Sequence, residues 1–280
     1  MHLFNWNIMR LIYYIFFVLF SISIASSEYI EPSDVKIKTE NYKPENINFE
    51  NGKYKYKVSW QGIPVATANI EVNNIDDGFS VKAKAKTKDW LSVFYKLKFE
   101  SESEFDSVKL KPKKFISRQI ENSKKKVKDI QFGSDGTIST KSYKNGKEQK
   151  VFEFNSGNQT LDPITAAFLA RSLPISEGTK KSFDVFNGKH RFLITFNVGL
   201  KENIKSNGKD FLCYKVIPEV KKLTDTEGEK RLRSASIWIT ADEKREVIKI
   251  ESNVLIGSIK AELEDYSFEK TNQARVYSSL

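Results

Sequence analysis

Alternation of apolar and polar residues is the dominant pattern of this chain. From Lys53 to Trp60, lysine and serine alternate with tyrosine, valine and tryptophan, the period of two that belongs to a strand with one wet face and one dry face. Turn residues such as Asn145 and Gly146 separate further runs of this kind, and Asn-Gly between two such runs is a strong hairpin signal. The pattern predicts further strands over residues 65–72, 79–86, 93–105, 114–120, 127–132, 137–143, 150–154, 182–186, 190–198, 211–218, 231–240, 246–254 and 258–268.

One segment departs from the alternation. Asp162 and Pro163 suit the cap and the first residue of a helix, and Ile164, Ala167 and Phe168 recur at helical spacing. The sequence therefore predicts one short helix near residues 161–172. Many antiparallel strands around one helix indicate a mainly β fold, either a single, strongly curved antiparallel sheet or an incomplete β-barrel that the helix fills or closes.

The N-terminal segment predicts export. Residues 1–25 have a weakly basic start, an apolar run from Leu11 to Leu19 and small residues at Ser23 and Ala25, as in a cleavable signal peptide. A membrane anchor is the rival interpretation, but a spanning helix needs roughly 20 apolar residues. We therefore expect cleavage, with no stable transmembrane anchor afterwards.

The remaining chain divides by composition into three parts. Prolines, asparagines and charges predict that residues 26–50 form an extended N-terminal arm, much of it mobile. Residues 51–270 form the β-rich domain, and residues 271–280 form a C-terminal tail. The single cysteine, Cys213, excludes an internal disulfide. An exported chain without disulfides and rich in Lys, Asn and Ile indicates a bacterial periplasmic protein.

The formal net charge is +10, but the basic residues are mostly scattered lysines. Of the 46 basic residues, 38 are lysines, whereas base readout and bidentate phosphate contacts favour arginine. Lysines that alternate with apolar residues are typical of solvated strand faces. We therefore expect no nucleic-acid partner, although a weak attraction to acidic envelope surfaces remains open.

Residues for catalysis or metal binding are sparse. His190 is the one histidine outside the predicted signal peptide, and a histidine-based metal site needs more ligands. Cys213 lies in a predicted strand without an evident histidine partner, which indicates a buried, inert thiol. Glu102 and Glu104 share a strand face that a solvated surface explains. The sequence predicts a protein that is not an enzyme and holds no metal or cofactor.

Three motifs together resemble a bacterial exported family known as domain of unknown function 3108. They are residues 56–68 (YKVSWQGIPVATA), 161–171 (LDPITAAFLAR) and 237–247 (IWITADEKREV), and the resemblance spans roughly residues 50–270. The third motif departs from the family pattern, because Glu246 stands where the family tends to carry proline. The resemblance implies a β-rich periplasmic protein without an assigned activity.

The conspicuous residues of these motifs have structural interpretations. Gly62 and Pro64 shape a bend between strands. Trp60 and Trp238 are expected in the core, with indole N–H groups that need partners if buried. Asp162 caps the helix that Pro163 begins. Arg171 is expected to reach Asp242 or a helix-end carbonyl across the sheet, and a structural salt bridge is favoured over a ligand clamp.

The closing strands are also, more loosely, similar to those of periplasmic lipoprotein carriers, which hold an apolar cavity under a helical lid. A dense apolar segment between Trp90 and Phe99 fits this likeness, because in an open sheet part of it would line a concave cavity. The candidate ligand-binding residues are Trp90, Phe94, Tyr95, Phe99 and Phe168.

Three functional hypotheses follow from these observations. The first is a non-catalytic periplasmic cell-envelope protein that binds a lipid, lipopeptide or peptide in a concave apolar cavity. The second is a structural scaffold that has a filled barrel and docks an envelope protein through a sheet edge or the arm. The third is an envelope hydrolase that uses carboxylates, which predicts a cleft with a strongly perturbed carboxylate.

Overall fold

Sixteen strands and two short α-helices make up the described chain. The computed structural model describes residues 29–47, 49–225, 235–253 and 257–268. The helices are α1 (Asp89–Ser92) and α2 (Pro163–Ser172), and a single 3-10 turn spans Pro32–Asp34. The strands are β1 (Gly52–Trp60), β2 (Ile63–Ile75), β3 (Gly78–Thr87), β4 (Leu97–Asp106), β5 (Pro112–Glu121), β6 (Lys124–Phe132), β7 (Thr137–Lys144), β8 (Lys147–Glu148), β9 (Phe152–Asn155), β10 (Thr160–Leu161), β11 (Lys180–Phe186), β12 (Arg191–Ser206), β13 (Lys209–Lys222), β14 (Ala235–Thr240), β15 (Val247–Asn253) and β16 (Ser258–Phe268).

All of these strands belong to one sheet. Its order is β10-β11-β12-β13-β14-β15-β16-β1-β2-β3-β4-β5-β6-β7-β8, with β9 beside β7. Neighbours pair antiparallel, except that β10 runs parallel to β11. The two ends of the order do not pair with each other, so the sheet is an open barrel. The mainly β fold class, with one curved antiparallel sheet, is confirmed.

Two-residue turns produce several of the hairpins. Gln61 and Gly62 both have positive φ angles, as do Asn145 and Gly146. Such pairs form the turn type whose twist matches that of paired strands, and glycine or asparagine adopts it most readily. The bend predicted at Gly62 is therefore a tight hairpin between β1 and β2. Pro64 follows it at a bulge, opposite Ser59.

The strand predicted over residues 93–105 begins later than expected. Residues Asp89–Ser92 form α1, and the strand starts only at Leu97. Leu91 and Tyr95, one helical turn apart, are both buried in the main core. Because helical spacing lets these two side chains enter the core together, this apolar segment caps one end of the barrel instead of extending the strand.

The helix α2 lies inside the curve of the sheet. The Asp162 carboxylate caps it by accepting from the backbone N–H groups of Ile164 and Thr165 at 2.8 and 3.1 Å, which confirms the predicted cap. Ser103 of β4 donates to the same carboxylate at 2.7 Å. Phe168 belongs to one buried cluster with side chains from β1 to β4 and from β11 to β16. The barrel interior is therefore packed with side chains.

The N-terminal arm covers the open seam between β9 and β10. Arg191 of β12 donates to the Pro32 and Val35 carbonyls at 3.0 and 3.3 Å, and Asn158 donates to the Ile37 carbonyl at 2.8 Å. A second cluster, in which Phe152 and Phe154 contact Phe186, fills the gap beneath. These bonds hold the described residues of the arm against the seam.

A buried ion pair lies under the arm. The Arg191 guanidinium contacts the Asp184 carboxylate, and both side chains are almost fully buried. Thr160 donates to Asp184 at 2.7 Å, and Arg191 donates to Ser156 at 3.3 Å. Ser156 directly follows β9, so the network links β10, β11 and β12 to the end of β9 and to the arm across the seam.

Some predicted features lie outside the described residues. They are the signal peptide over residues 1–25, the tail over residues 271–280 and the start of the strand predicted over residues 231–240, whose described part begins at Ala235. Neither helix of the described chain has the length and apolar character that crossing a bilayer requires.

Candidate functional site

The antiparallel topology places the strand connections at two ends of the barrel. We call them the α1 end, with the β1–β2, β3–β4 and β5–β6 connections, and the rim end, with the β2–β3, β4–β5 and β14–β15 connections. The last turn of α2 reaches the rim end, where Arg171 donates to the carbonyls of Lys244 and Arg245. Helix α2, which lies inside the barrel, is therefore hydrogen-bonded to the barrel wall at the rim end.

A small cavity opens at the rim end, and we call it the rim cavity. It has a volume of about 120 Å³. Its wall combines aromatic, acidic and basic side chains, so it presents both apolar surface and charge. The lining residues are Asn46, Phe49, Glu50, Tyr54, Val72, Phe168, Arg171, Glu243, Lys244 and Glu246.

All three family motifs meet beside this cavity. Arg171 of the second motif donates to the carbonyl of Arg245 in the third at 2.8 Å, and Arg245 donates back to the Arg171 carbonyl at 2.8 Å. The Tyr56 hydroxyl, from the first motif, donates to the Val247 carbonyl at 3.0 Å. Residues about 190 positions apart in sequence thus build one local structure.

Arg171 contacts both aromatic rings and backbone carbonyls at the wall of the cavity. Its guanidinium carbon lies 5.4 Å from the ring centre of Phe49 and 5.2 Å from that of Phe168. Cation–π contacts of this kind add to the two hydrogen bonds that the same guanidinium donates to backbone. The side chain is therefore preorganised. Its hydrogen-bond partners are the carbonyls of the β14–β15 turn and not the Asp242 carboxylate.

Glu246 is the carboxylate most affected by this environment. Burial raises its pKa, and the nearby Lys244 and Arg171 charges only partly oppose that effect. Tyr54 lies beside it, with its hydroxyl 3.5 Å from Glu246 Oε1. Burial and the Glu246 charge raise the pKa of Tyr54 to about 12. At neutral pH the cavity therefore contains a neutral phenol next to a carboxyl group whose protonation is unusually favourable.

The departure of the third motif from its family pattern has a structural consequence. The Glu246 backbone N–H donates to Thr240 Oγ1 at 2.9 Å, a bond that proline lacks the hydrogen to make. Thr240 Oγ1 also contacts Asp242 at 2.5 Å, and Asp242 accepts from the Arg245 backbone N–H at 3.2 Å. Asp242 therefore shapes the β14–β15 turn that carries Lys244 and Glu246 to the cavity.

The remaining motif residues lie in structural positions. Trp238 is buried, and its indole N–H donates to Glu202 at 2.8 Å, which is the partner that a buried indole requires. Trp60 is half-buried against the main core. Pro163 is the buried first residue of α2.

The candidate ligand residues occupy different environments. Phe168 lines the rim cavity, while Tyr95 is buried at the α1 end and donates from its hydroxyl to Glu121 at 3.2 Å. Phe99 is half-buried against the core. Trp90 and Phe94 face solvent, with 54% and 64% of their surface exposed. The structure therefore does not bring these five side chains into one cavity.

The other reactive side chains are restrained. Cys213 is fully buried, as predicted, and burial raises the pKa of its thiol to about 11. Burial and neighbouring lysines lower the pKa of His190 to about 2, and its Nδ1 lies 2.9 Å from Thr224 Oγ1. Within the described part of the chain, no three His, Cys, Asp or Glu side chains group together as a metal site.

Several cavity residues were missing from the sequence prediction. Phe49, Tyr54, Lys244 and Glu246 were not predicted as site residues. Phe49 lies in the arm, which carries no strand pattern, and Tyr54 is one of several alternating tyrosines. Glu246, which stands where the family tends to carry proline, was the one signal in the sequence that pointed to this site. Only the folded β14–β15 turn directs its side chain to the cavity.

Comparisons with known proteins identify the fold. A family model described as "Protein of unknown function (DUF3108)" matches residues 55–264. A β-barrel-like protein of domain of unknown function DUF1849 from Brucella abortus has a TM-score of 0.56 at 12% identity, over 79% of this chain and 99% of that one. A DUF1089 family protein from Pseudomonas aeruginosa has a TM-score of 0.38 at 13% identity, over 68% and 90% of the two chains. No curated protein matches the sequence.

Proposed function

The chain belongs to the DUF3108 family of proteins of unknown function, and from that premise we propose that it is a non-catalytic periplasmic protein that binds a peptide segment of an envelope partner at the rim cavity. The observation that carries this proposal is that the second and third family motifs line one cavity, while the first motif bonds to the third beside it. The predicted signal peptide supports the periplasmic location.

The packed interior favours a peptide over a lipid. Small-molecule pockets span roughly 300–1,000 Å³, whereas the rim cavity has about 120 Å³. Phe168 and Tyr95, two of the candidate ligand residues, are buried among the side chains of the main core. A cavity of this size accommodates one side chain of a peptide that otherwise lies across the surface.

The side chains that line the rim cavity indicate which kind of peptide would bind there. Phe49 and Phe168 provide apolar surface for a side chain. Glu50, Glu243 and Glu246 outnumber the basic residues of the lining, and Arg171 is already bonded to backbone. We therefore expect a peptide that inserts an apolar side chain and offers hydrogen-bond donors or positive charge to the glutamates.

Site-specific photocrosslinking in the native periplasm tests this binding. A photoreactive residue replaces Lys244, whose side chain is about half exposed, and a matched control replaces exposed Lys209 at the same end of the barrel but outside the cavity. We expect a discrete protein adduct from position 244 and none from position 209. The double variant E50K/E243K should lose the adduct, since it reverses the charge of the rim.

Native mass spectrometry distinguishes the alternatives. The protein isolated from its own periplasm is weighed before and after extraction with organic solvent. An extra mass that the solvent releases as lipid would overturn the peptide proposal in favour of a carrier. A bare protein mass together with equal crosslinking at positions 244 and 209 would exclude binding at the rim cavity.

A hydrolase is the second candidate, because Glu246 is a carboxyl group with a raised pKa in a cleft that also contains Glu50. The variant E246Q separates the two functions. If Glu246 is catalytic, this variant retains the partner adduct but loses the cellular phenotype of the wild type. If the protein only binds, adduct and phenotype change together.

A further inference from the structure

Three apolar side chains at the α1 end are exposed to solvent and lie outside the barrel core; we call them the apolar tip. Trp90, Val93 and Phe94 have 54%, 80% and 64% of their surface exposed. They lie three and four residues apart in the turns around α1, where the backbone N–H of Phe94 donates to the Leu91 carbonyl at 2.9 Å. This spacing places the three side chains on one face. The opposite face is anchored, because Leu91 and Tyr95 are buried in the main core.

Lysines are abundant at the same end of the barrel as this tip. Residues 86–98, 121–126, 144–148 and 187–190 all lie at the α1 end, at connections or in the strand ends beside them. These four segments contain ten lysines and three acidic residues. The lysines are Lys86, Lys88, Lys96, Lys98, Lys124, Lys125, Lys126, Lys144, Lys147 and Lys189.

The rim end differs in charge. Its β2–β3 turn contains Asp76 and Asp77, and its β14–β15 turn contains Asp242 and Glu243 beside Lys244 and Arg245. Its β4–β5 connection contains Lys109 and Lys111 together with Asp106, so acidic residues accompany the basic ones at the rim end. The excess of positive charge therefore lies at the end that also exposes tryptophan and phenylalanine. A solvated surface explains scattered lysines, but it does not explain why the most exposed aromatic side chains of the described residues lie at the same end.

We propose that the α1 end docks on an anionic phospholipid bilayer, with Trp90, Val93 and Phe94 inserted among the headgroups and the lysines around them facing lipid phosphates. Tryptophan and phenylalanine insert favourably at the membrane interface, and each lysine near an anionic surface strengthens binding about fivefold. We assign a lipid surface as the occupant because an anionic bilayer matches both features of this end. Its apolar region accepts the exposed side chains, and its phosphates attract lysines that are spread over several connections.

The position of the arm fits this orientation. Tyr29, the first described residue, donates from its hydroxyl to the Lys189 carbonyl at 3.0 Å and pairs with Asp225. The described chain therefore starts at the same end as the apolar tip. The rim cavity lies at the opposite end, so a membrane at the α1 end leaves it open. The docking proposal does not depend on the proposed peptide site.

Vesicle flotation of the exported protein, with its N-terminus determined by mass spectrometry, tests the docking. The vesicles contain phosphatidylcholine alone or phosphatidylcholine and phosphatidylglycerol in equal parts. We expect flotation only with the anionic vesicles, and weaker flotation at high salt because the charges at the surface are screened. Binding to both vesicle types without salt dependence would overturn the proposal, and so would no binding to either.

Matched variants identify the end that binds. W90S/F94S removes the apolar tip and K96E/K98E reverses two charges of its surroundings; each should weaken anionic binding at least about tenfold. The controls V108S and K109E/K111E make similar changes in the β4–β5 connection at the rim end, where Val108 is 70% exposed. All four sets alter exposed residues, so circular dichroism should show unchanged folding. Equal losses at both ends would overturn the proposal.

Lipid contact at the tip has a separate readout. Brominated phosphatidylglycerol quenches tryptophan fluorescence only at close range, so the wild type should be quenched in vesicles. The variant W90F should keep binding but lose most of the quenching. If W90F is quenched as strongly as the wild type, another tryptophan is inserted and the assignment to the α1 end is wrong.

Discussion

Arg171 and Arg245 each donate a hydrogen bond to the other's backbone. Arg171 Nε lies 2.8 Å from the Arg245 carbonyl oxygen, and Arg245 Nη1 lies 2.8 Å from the Arg171 carbonyl oxygen. Arg245 also donates to the Leu173 carbonyl, beyond the last residue of α2. Two like charges are thus held close together by carbonyl groups at a helix end and a turn, and this exchange joins the interior helix to the barrel wall.

We expect this exchange to be energetically coupled. Lysine keeps the charge but lacks the planar set of donors, so R171K and R245K should each lower the free energy of unfolding by about 1–3 kcal/mol. The double variant R171K/R245K should lose less than the sum, by about 0.5 kcal/mol or more, as residues that share one network do. Urea denaturation measures all three, and exposed R118K is the control, with a change under about 0.5 kcal/mol. Strict additivity would contradict the coupling.

Glu246 should make the protein more stable in acid than its composition suggests. Its pKa is raised in the folded state, so its proton is held more tightly there than in the unfolded chain. The resulting stabilisation is fully present below the unfolded pKa and is lost as the pH rises through the folded pKa. E246Q cannot titrate, so it should exceed the wild type in stability at neutral pH, and this difference should shrink on acidification.

A second glutamate provides a control of opposite sign. The hydrogen bond from Lys55 lowers the pKa of Glu264, whose stabilisation is therefore present above the unfolded pKa and lost as the pH falls. E264Q should slightly reduce stability at neutral pH, and little of that loss should remain in acid. Free energies of unfolding measured from acid to neutral pH test both variants. If E246Q and E264Q follow the same trend with pH, the assignment to Glu246 is wrong.

The seam should depend on the buried Asp184–Arg191 pair. D184A leaves the Arg191 charge buried without its partner, which typically costs about 3–5 kcal/mol. The Pro32 and Val35 carbonyls are held by Arg191, so the arm should also become sensitive to protease. The control E100A breaks the exposed Lys84–Glu100 pair and should cost under about 1 kcal/mol. Protease resistance of the arm in D184A would show that other contacts hold it.

Two phenylalanines test whether the interior is filled. Phe168 is 6% exposed and contacts the rings of Phe49 and Phe105, so F168A should leave a cavity and cost about 3–5 kcal/mol. Phe94 is 64% exposed, and F94A should change stability by less than about 0.5 kcal/mol. Thermal and urea unfolding compare the same substitution in two environments. A small loss for F168A would indicate an interior loose enough for a ligand.

Local signals in the sequence correctly predicted much of the fold. The alternation from Lys53 to Trp60 became β1, Asn145 and Gly146 formed a hairpin turn, and Asp162 capped α2. Each signal acts within a few residues, through the strand period, the φ preference of a residue or one side-chain hydrogen bond. They are visible in sequence because no distant residue is needed to produce them.

The apolar segment around α1 is a case in which local sequence signals were not sufficient to predict the structure. Strand alternation and a helical turn both place apolar residues from Trp90 to Phe99 next to the core, and the pattern alone favoured the strand. Packing of Leu91 and Tyr95 into the barrel selected the helical turn, and that choice turned Trp90 and Phe94 outward. The orientation of these side chains depends on the space available in the assembled barrel, and a short-range sequence pattern carries no information about that space.

Local sequence patterns specify the mainly β class, most strand and turn positions, the capped helix and the membership of the family. Packing between distant segments places α2 inside the barrel and the arm over the seam, and it brings Tyr54, Arg171 and Glu246 to one cavity. The difference lies in the range of the interactions. Periodicity and turn preferences act along the chain, whereas a cavity, a buried ion pair and an exposed patch exist only after distant segments have packed together.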